Sequence, residues 1–162
     1  MIKVGDSLPA VTLTESVDGT PTPFEVAKAA AGKTIALFAV PGAFTPTCSI
    51  QHLPGFLENH DALLAAGVDE IWCVSVNDPF VMDAWGKAQG TAGKIRMLAD
   101  GNADFAKAVG LTLDASGLGL GTRSQRYSML VKDGKVATLN VEGDPTKAEV
   151  SNGATLLAQA KA

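Results

Sequence analysis

The run Pro41-Gly42-Ala43-Phe44-Thr45-Pro46-Thr47-Cys48 ends on a cysteine three residues after a threonine. Thr45 suits a helix N-cap, and Pro46 suits the first helical position, where its missing N–H would be unpaired anyway. Counting on, Cys48 is the third helical residue. Its sulfur then sits among unpaired backbone N–H groups at the positive end of the helix dipole. Such a setting lowers a thiol pKa from ~8.5 toward ~3.5–7.5 and supplies the thiolate, which is the nucleophile. A dithiol oxidoreductase would carry a second cysteine three residues earlier, as Cys-x-x-Cys. Thr45 stands there instead. A hydroxyl cannot resolve a mixed disulfide, but it can hydrogen-bond a thiolate and an incoming oxygen. The spacing points to one sulfur acting on an oxygen-containing substrate.

Other polar groups compete for attention. His52 lies four residues after Cys48 and shares its helix face, so a Cys–His hydrolase is conceivable. No orienting group accompanies it, and Pro54 disturbs the helix, so His52 is read as a local structural or tuning residue. Cys48, His52 and His60 are spaced Cys-x3-His-x7-His, which matches no common zinc pattern, and no metal is expected. Arg123 and Arg126 follow the stretch Gly117-Leu118-Gly119-Leu120-Gly121. That stretch lacks the Gly-x-Gly-x-x-Gly of a phosphate cradle and reads as a flexible or tightly turning loop near the site. For Arg123 alone, a solvated surface charge is as good a reading as a site residue.

Alternating elements must position these groups. Ile35 to Val40 is a continuous apolar run, as in a strand buried on both faces, and Ile71 to Val76 reads the same way. Ile95 to Leu98 is a third strand. Arg126 to Val131 and Val136 to Val141 flank Lys132-Asp133-Gly134-Lys135, whose Asp-Gly marks a hairpin. Helices are expected from about Thr45 to Ala66 with a break at Pro54, from Asn77-Asp78-Pro79 onward, over Ala103 to Val109, and over Lys147 to Ala160. The order predicts an α/β fold with a mixed central sheet and helices on both faces. Residues 1–162 read as a single domain, without repeat, linker or low-complexity segment.

Composition narrows the function classes. The 162 residues are 46% apolar, with 13 Lys plus Arg against 17 Asp plus Glu, a formal charge of −4. A mildly acidic chain has no general attraction for nucleic acid or anionic lipid. The longest apolar run is far short of the ~20 residues that span a bilayer. Two cysteines are too few for a disulfide scaffold or a self-sufficient zinc site. Met1-Ile2-Lys3-Val4-Gly5-Asp6 lacks a basic stretch followed by an apolar one, so a reducing, cytoplasmic setting is the expectation.

Pro41-x-x-x-Thr45-x-x-Cys48 resembles the signature of the peroxiredoxins, thiol peroxidases of thioredoxin-like fold. Val40 to Pro46, His52-Leu53-Pro54-Gly55-Phe56, Ser75 to Val81, Arg126-Tyr127-Ser128-Met129 and Val141-Glu142 resemble the plant type II and mammalian type V branch. The likeness runs from Ile2 to the last helix. It implies that Cys48 is the peroxidatic nucleophile, becoming a sulfenic acid. It implies that Thr45 hydrogen-bonds sulfur and peroxide, and that Arg126 holds the thiolate and the developing charge of O–O cleavage. It also implies that Pro41 shields the site from water, and that the protein is a homodimer.

A peroxidase must also return to the thiolate. The mammalian branch carries a resolving cysteine where Val150 stands here, and Cys73 falls in a strand of the sheet interior. The resemblance to the plant branch implies glutathione as co-substrate, with glutaredoxin, and no bound cofactor; thioredoxin is the alternative reductant. Cys73 is read as a core residue. A peroxide sensor or redox-regulated interaction protein using the same Cys48 is the competing class.

Overall fold

The computed structural model describes residues 1–162. The chain opens with a hairpin of β1 (Thr12–Val17) and β2 (Thr20–Glu25), then a short α1 (Val26–Ala30) and β3 (Thr34–Val40). A wide π-type turn, Cys48–His52, leads into α2 (Leu53–Glu58) and α3 (His60–Ala65). Next come β4 (Glu70–Ser75), α4 (Pro79–Gln89), β5 (Arg96–Ala99) and α5 (Asp104–Val109). The short strands β6 (Thr112–Asp114) and β7 (Thr122–Ser124), the hairpin of β8 (Tyr127–Lys132) and β9 (Lys135–Val141), and α6 (Gly153–Lys161) complete it.

Seven strands form a mixed sheet in the order β2-β1-β5-β4-β3-β8-β9. β3, β4 and β5 are parallel neighbours, and the other pairings are antiparallel. The central position of β3 follows from its sequence: Ile35 to Val40 are all buried because helices or loops cover both faces. Alternate residues then serve two cores. Ile35, Leu37 and Ala39 join Trp72, Val74 and Tyr127 on one face. Ala36, Phe38 and Val40 join Cys48, Phe56, Cys73, Trp85 and Leu156 on the other. The mixed sheet and thioredoxin-like architecture expected from the sequence are the ones present.

Three details depart from the expectation. The first hairpin lies outside it, because its strands carry few apolar residues and β2 contains Pro21 and Pro23. Proline is tolerated there because β2 is an edge strand. The helix expected from Thr45 to Ala66 is divided at Asn59 rather than Pro54, which sits in the first turn of α2. The last helix starts at Gly153, not Lys147, because residues 143–152 form a strap of turns and bends tied down by side chains. No helix is long and apolar enough to cross a membrane.

Candidate active site

Cys48 sits just beyond the C-terminal edge of β3, where open α/β sheets place their ligands. Helical backbone begins at Pro46, as the Thr-Pro pair predicts. Thr45, however, does not cap a backbone N–H. Its Oγ1 instead lies 2.9 Å from Cys48 Sγ and 2.6 Å from the Gly42 carbonyl. One hydroxyl proton faces two acceptors, so a thiolate at Cys48 draws it toward sulfur. From Cys48 the backbone widens into the π turn, with Leu53 N–H donating to Cys48 O. Such single wide turns recur at functional sites.

Arg126 reaches the sulfur from the start of β8, and 2% of it is exposed. Its Nη2 donates to Cys48 Sγ at 3.0 Å, and its Nε donates to Pro145 O at 3.0 Å. Its Nη1 donates to His52 Nδ1 at 2.9 Å. His52 is fully buried and packs at a tilt against the stacked rings of Phe38 and Phe56. Burial, reinforced by the Arg126 charge, lowers its pKa to about 3. The neutral imidazole then has one possible tautomer: Nε2–H donates to Ser151 O at 2.9 Å, and Nδ1 accepts from Arg126. Both nitrogens are engaged away from sulfur. His52 cannot serve Cys48 as a base, which removes the hydrolase reading and gives it a positioning role.

The loop before Cys48 is clamped from outside. Ala43 N–H donates to Asn77 Oδ1 at 2.9 Å. Arg123 donates from Nη1 to Val76 O and from Nε to Leu120 O. A Cβ on Gly42 would lie 3.1 Å from that guanidinium, so Gly42 is small because Arg123 packs on it. Arg123 is thus a loop clamp, not a solvated surface charge. Phe44, the turn's one left-handed non-glycine residue at φ 65°, is 55% exposed. Pro41 is half-buried at the end of β3. Within the stretch Gly117 to Gly121, Gly119 and Gly121 take positive φ, making the tight turn expected there.

Cys73 is fully buried opposite Phe38, and both cysteines are free. Burial, with Cys48 nearby, pushes its thiol well above the ordinary range. Val150 is 45% exposed, with its N–H on Glu142. No cluster of three or more His, Cys, Asp or Glu side chains is assembled for a metal ion. Sequence reasoning misses the strap: Pro145, Ser151 and Glu142 have no local signal beyond the Val141-Glu142 motif.

A thioredoxin-like sheet carrying one cysteine at a helix start, faced by threonine and arginine, defines a class of thiol-based redox proteins. The family model Redoxin matches residues 3–157, and the chain belongs to that family. Its relatives are peroxiredoxins of the plant type II group. It is 50% identical over 146 residues to Peroxiredoxin-2E-2, chloroplastic, of Oryza sativa subsp. japonica, covering 87% of this chain and 65% of that protein. It is 48% identical over 143 residues to Peroxiredoxin-2B of Arabidopsis thaliana, covering 87% and 88%. Reduced Prx3 from Vibrio vulnificus, solved in complex with hydrogen peroxide, superposes with a TM-score of 0.93 at 53% identity, covering 99% of both chains.

Proposed function

We propose that the chain is a thiol peroxidase that reduces hydrogen peroxide and small alkyl hydroperoxides through Cys48. One observation carries the reading. Cys48 Sγ stands between the Thr45 hydroxyl at 2.9 Å and the Arg126 guanidinium at 3.0 Å, with both histidine nitrogens turned elsewhere. That arrangement stabilises an anion on sulfur and a second anion beside it, without a base. The Cys48 thiolate attacks the terminal peroxide oxygen, and the O–O bond breaks. Sulfur becomes a sulfenic acid and the departing alkoxide or hydroxide takes a proton. Arg126 offsets charge on both oxygens as it develops, and Thr45 orients the peroxide. Pro41 limits water at the sulfur. The relative solved with hydrogen peroxide supports this substrate class.

Glutathione is the proposed reductant. Its thiolate attacks the sulfenic sulfur, hydroxide leaves as water, and a mixed disulfide forms; glutaredoxin removes the glutathionyl group and frees the Cys48 thiolate. The resolving position holds Val150, and Cys73 is a deeply buried thiol, so an external thiol is the simpler partner. The proposed setting is the reducing cytoplasm. A second copy of the chain is the proposed oligomeric partner, through the exposed Phe44, Phe80 and Leu118. Phe44, Leu118 and, in the first turn of α4, Phe80 stand on segments that Arg123 and Asn77 tie together.

Peroxide consumption is measured with glutathione plus glutaredoxin, and separately with thioredoxin. Many turnovers are expected with glutathione plus glutaredoxin, none in Cys48→Ser, and near-parental turnover in Cys73→Ser. A single-turnover stall with both reductants would overturn the enzyme reading in favour of a sensor. Faster turnover with thioredoxin would overturn the choice of reductant. Collapse of Cys73→Ser to Cys48→Ser levels would make Cys73 a resolving thiol.

A further inference from the structure

We propose that Glu142 is a positioning residue for peroxide reduction: acting through Ser151 and His52, it sets the rotation of the Arg126 guanidinium against Cys48. The proposal rests on the thiol peroxidase reading above. Glu142 follows the end of β9 and is only 7% exposed. One carboxylate oxygen, Oε2, accepts from Val150 N–H at 2.9 Å, Ser151 N–H at 2.6 Å and Ser151 Oγ at 2.6 Å. The carbonyl of that same Ser151 accepts from His52 Nε2, and His52 Nδ1 accepts from Arg126 Nη1. The Glu142 N–H donates to Arg126 O at 3.0 Å. These bonds close a ring from the Arg126 main chain, through Glu142, Ser151 and His52, back to the Arg126 side chain.

A ring of this kind does what a direct ion pair would not. A carboxylate bonded to the guanidinium would occupy the donors that face sulfur and neutralise the charge the reaction uses. Arg126 has no direct salt bridge, and neither has Glu142. Two buried opposite charges stand on either side of a neutral imidazole, and both act on it. The carboxylate therefore compensates the buried cation while leaving Nη2 for Cys48. Hydrogen bonds from Ser151 and its neighbours outweigh burial and hold Glu142 below the usual carboxylate range, so it stays ionised. Outside the ring, the Pro145 carbonyl takes Arg126 Nε. With three of its nitrogens assigned, the guanidinium has one orientation.

The test is a double-mutant cycle on the reaction of the reduced protein with hydrogen peroxide. Glu142→Ala is expected to slow that reaction by about tenfold in the parent, and by under about twofold when Arg126→Lys is already present, since Lys cannot make the fork. Glu142→Gln, which keeps an acceptor oxygen, is expected to recover most of the rate. Ser151→Ala removes one donor and leaves the backbone intact. It gives a second folded probe, with about a threefold loss confined to the protein that retains Arg126. An equal loss in the parent and in the Arg126→Lys variant, or no loss from Glu142→Ala, overturns the proposal. Absence of Cys48-dependent peroxide consumption in the parent would instead fail the peroxidase reading itself.

Discussion

Acidification should remove stability through His52 before it touches the carboxylates. In the folded chain His52 has a pKa of about 3, against 6.5 for an unperturbed histidine. As pH falls through 6.5 the unfolded chain binds a proton at this site that the folded chain refuses. The folded state then loses stability down to about pH 3, and the contribution is complete only above the unfolded value. At pH 5, one and a half units into that window, the loss is about 2 kcal/mol. For a chain of this size that is a fall in Tm of about 4–8 °C. The assay is thermal or urea unfolding of the parent and of His52→Gln at intervals between about pH 7.5 and pH 5. Glutamine can donate to Ser151 and accept from Arg126 but takes up no proton. Groups common to both proteins, such as Asp100 with its burial-raised pKa, cancel in the difference. The difference should shrink steadily as pH falls below 6.5 and reach about 2 kcal/mol of change at pH 5. A difference that stays flat across the window would refute a buried neutral imidazole and the tautomer built on it.

Two further outcomes follow from the packing. A Cβ at Gly153 would stand 2.6 Å from the Gly55 carbonyl oxygen and 2.9 Å from its carbon. Gly153→Ala must therefore lift α6 from α2, with a loss of about 1–3 kcal/mol readable in urea unfolding; unchanged stability would mean the two helices do not cross there. Phe80→Glu puts a charge among the exposed apolar side chains of the proposed dimer face, and light scattering should report a dimer for the parent and a monomer for the variant; an unaltered mass would place the contact elsewhere.

What can be read from the sequence depends on whether a residue's partners are near in the chain. Thr45, Pro46 and Cys48 are neighbours, and their spacing places a sulfur at a helix start. Asp133-Gly134 announces the β8–β9 hairpin, where Asp133 and Gly134 both take positive φ. Asp18-Gly19 turns the same way, yet the first hairpin escapes the sequence pattern. Around Asp18 only Leu13 and Phe24 are buried, and prolines mask the strand pattern. His52 is legible as a neighbour of Cys48 on a helix face. Its function depends on Ser151, 99 residues away, and on Arg126, 74 away. No periodicity encodes such contacts. The strap reads as helix because Lys147 to Ala160 has a helical composition, while Glu142 and Asp144 collect the backbone donors that hold residues 143–152 in turns and bends.

The turn from Pro46 to Leu53 lies between two prolines, and this gives it a separate fate from the helix it leads into. Pro54 has no N–H, so the hydrogen-bond ladder is already interrupted at that point, and unwinding the turn need not propagate into α2. Its outward ties are the Arg126 guanidinium to Cys48 Sγ and His52 Nδ1, Thr47 Oγ1 to Thr146 O, Trp85 Nε1 to Ser49 Oγ, and His52 Nε2 to Ser151 O. Cys48 is wholly covered. A bulky thiol can therefore meet an oxidised Cys48 only when this turn opens, and the two prolines keep that opening a local event in a fold that otherwise stays shut.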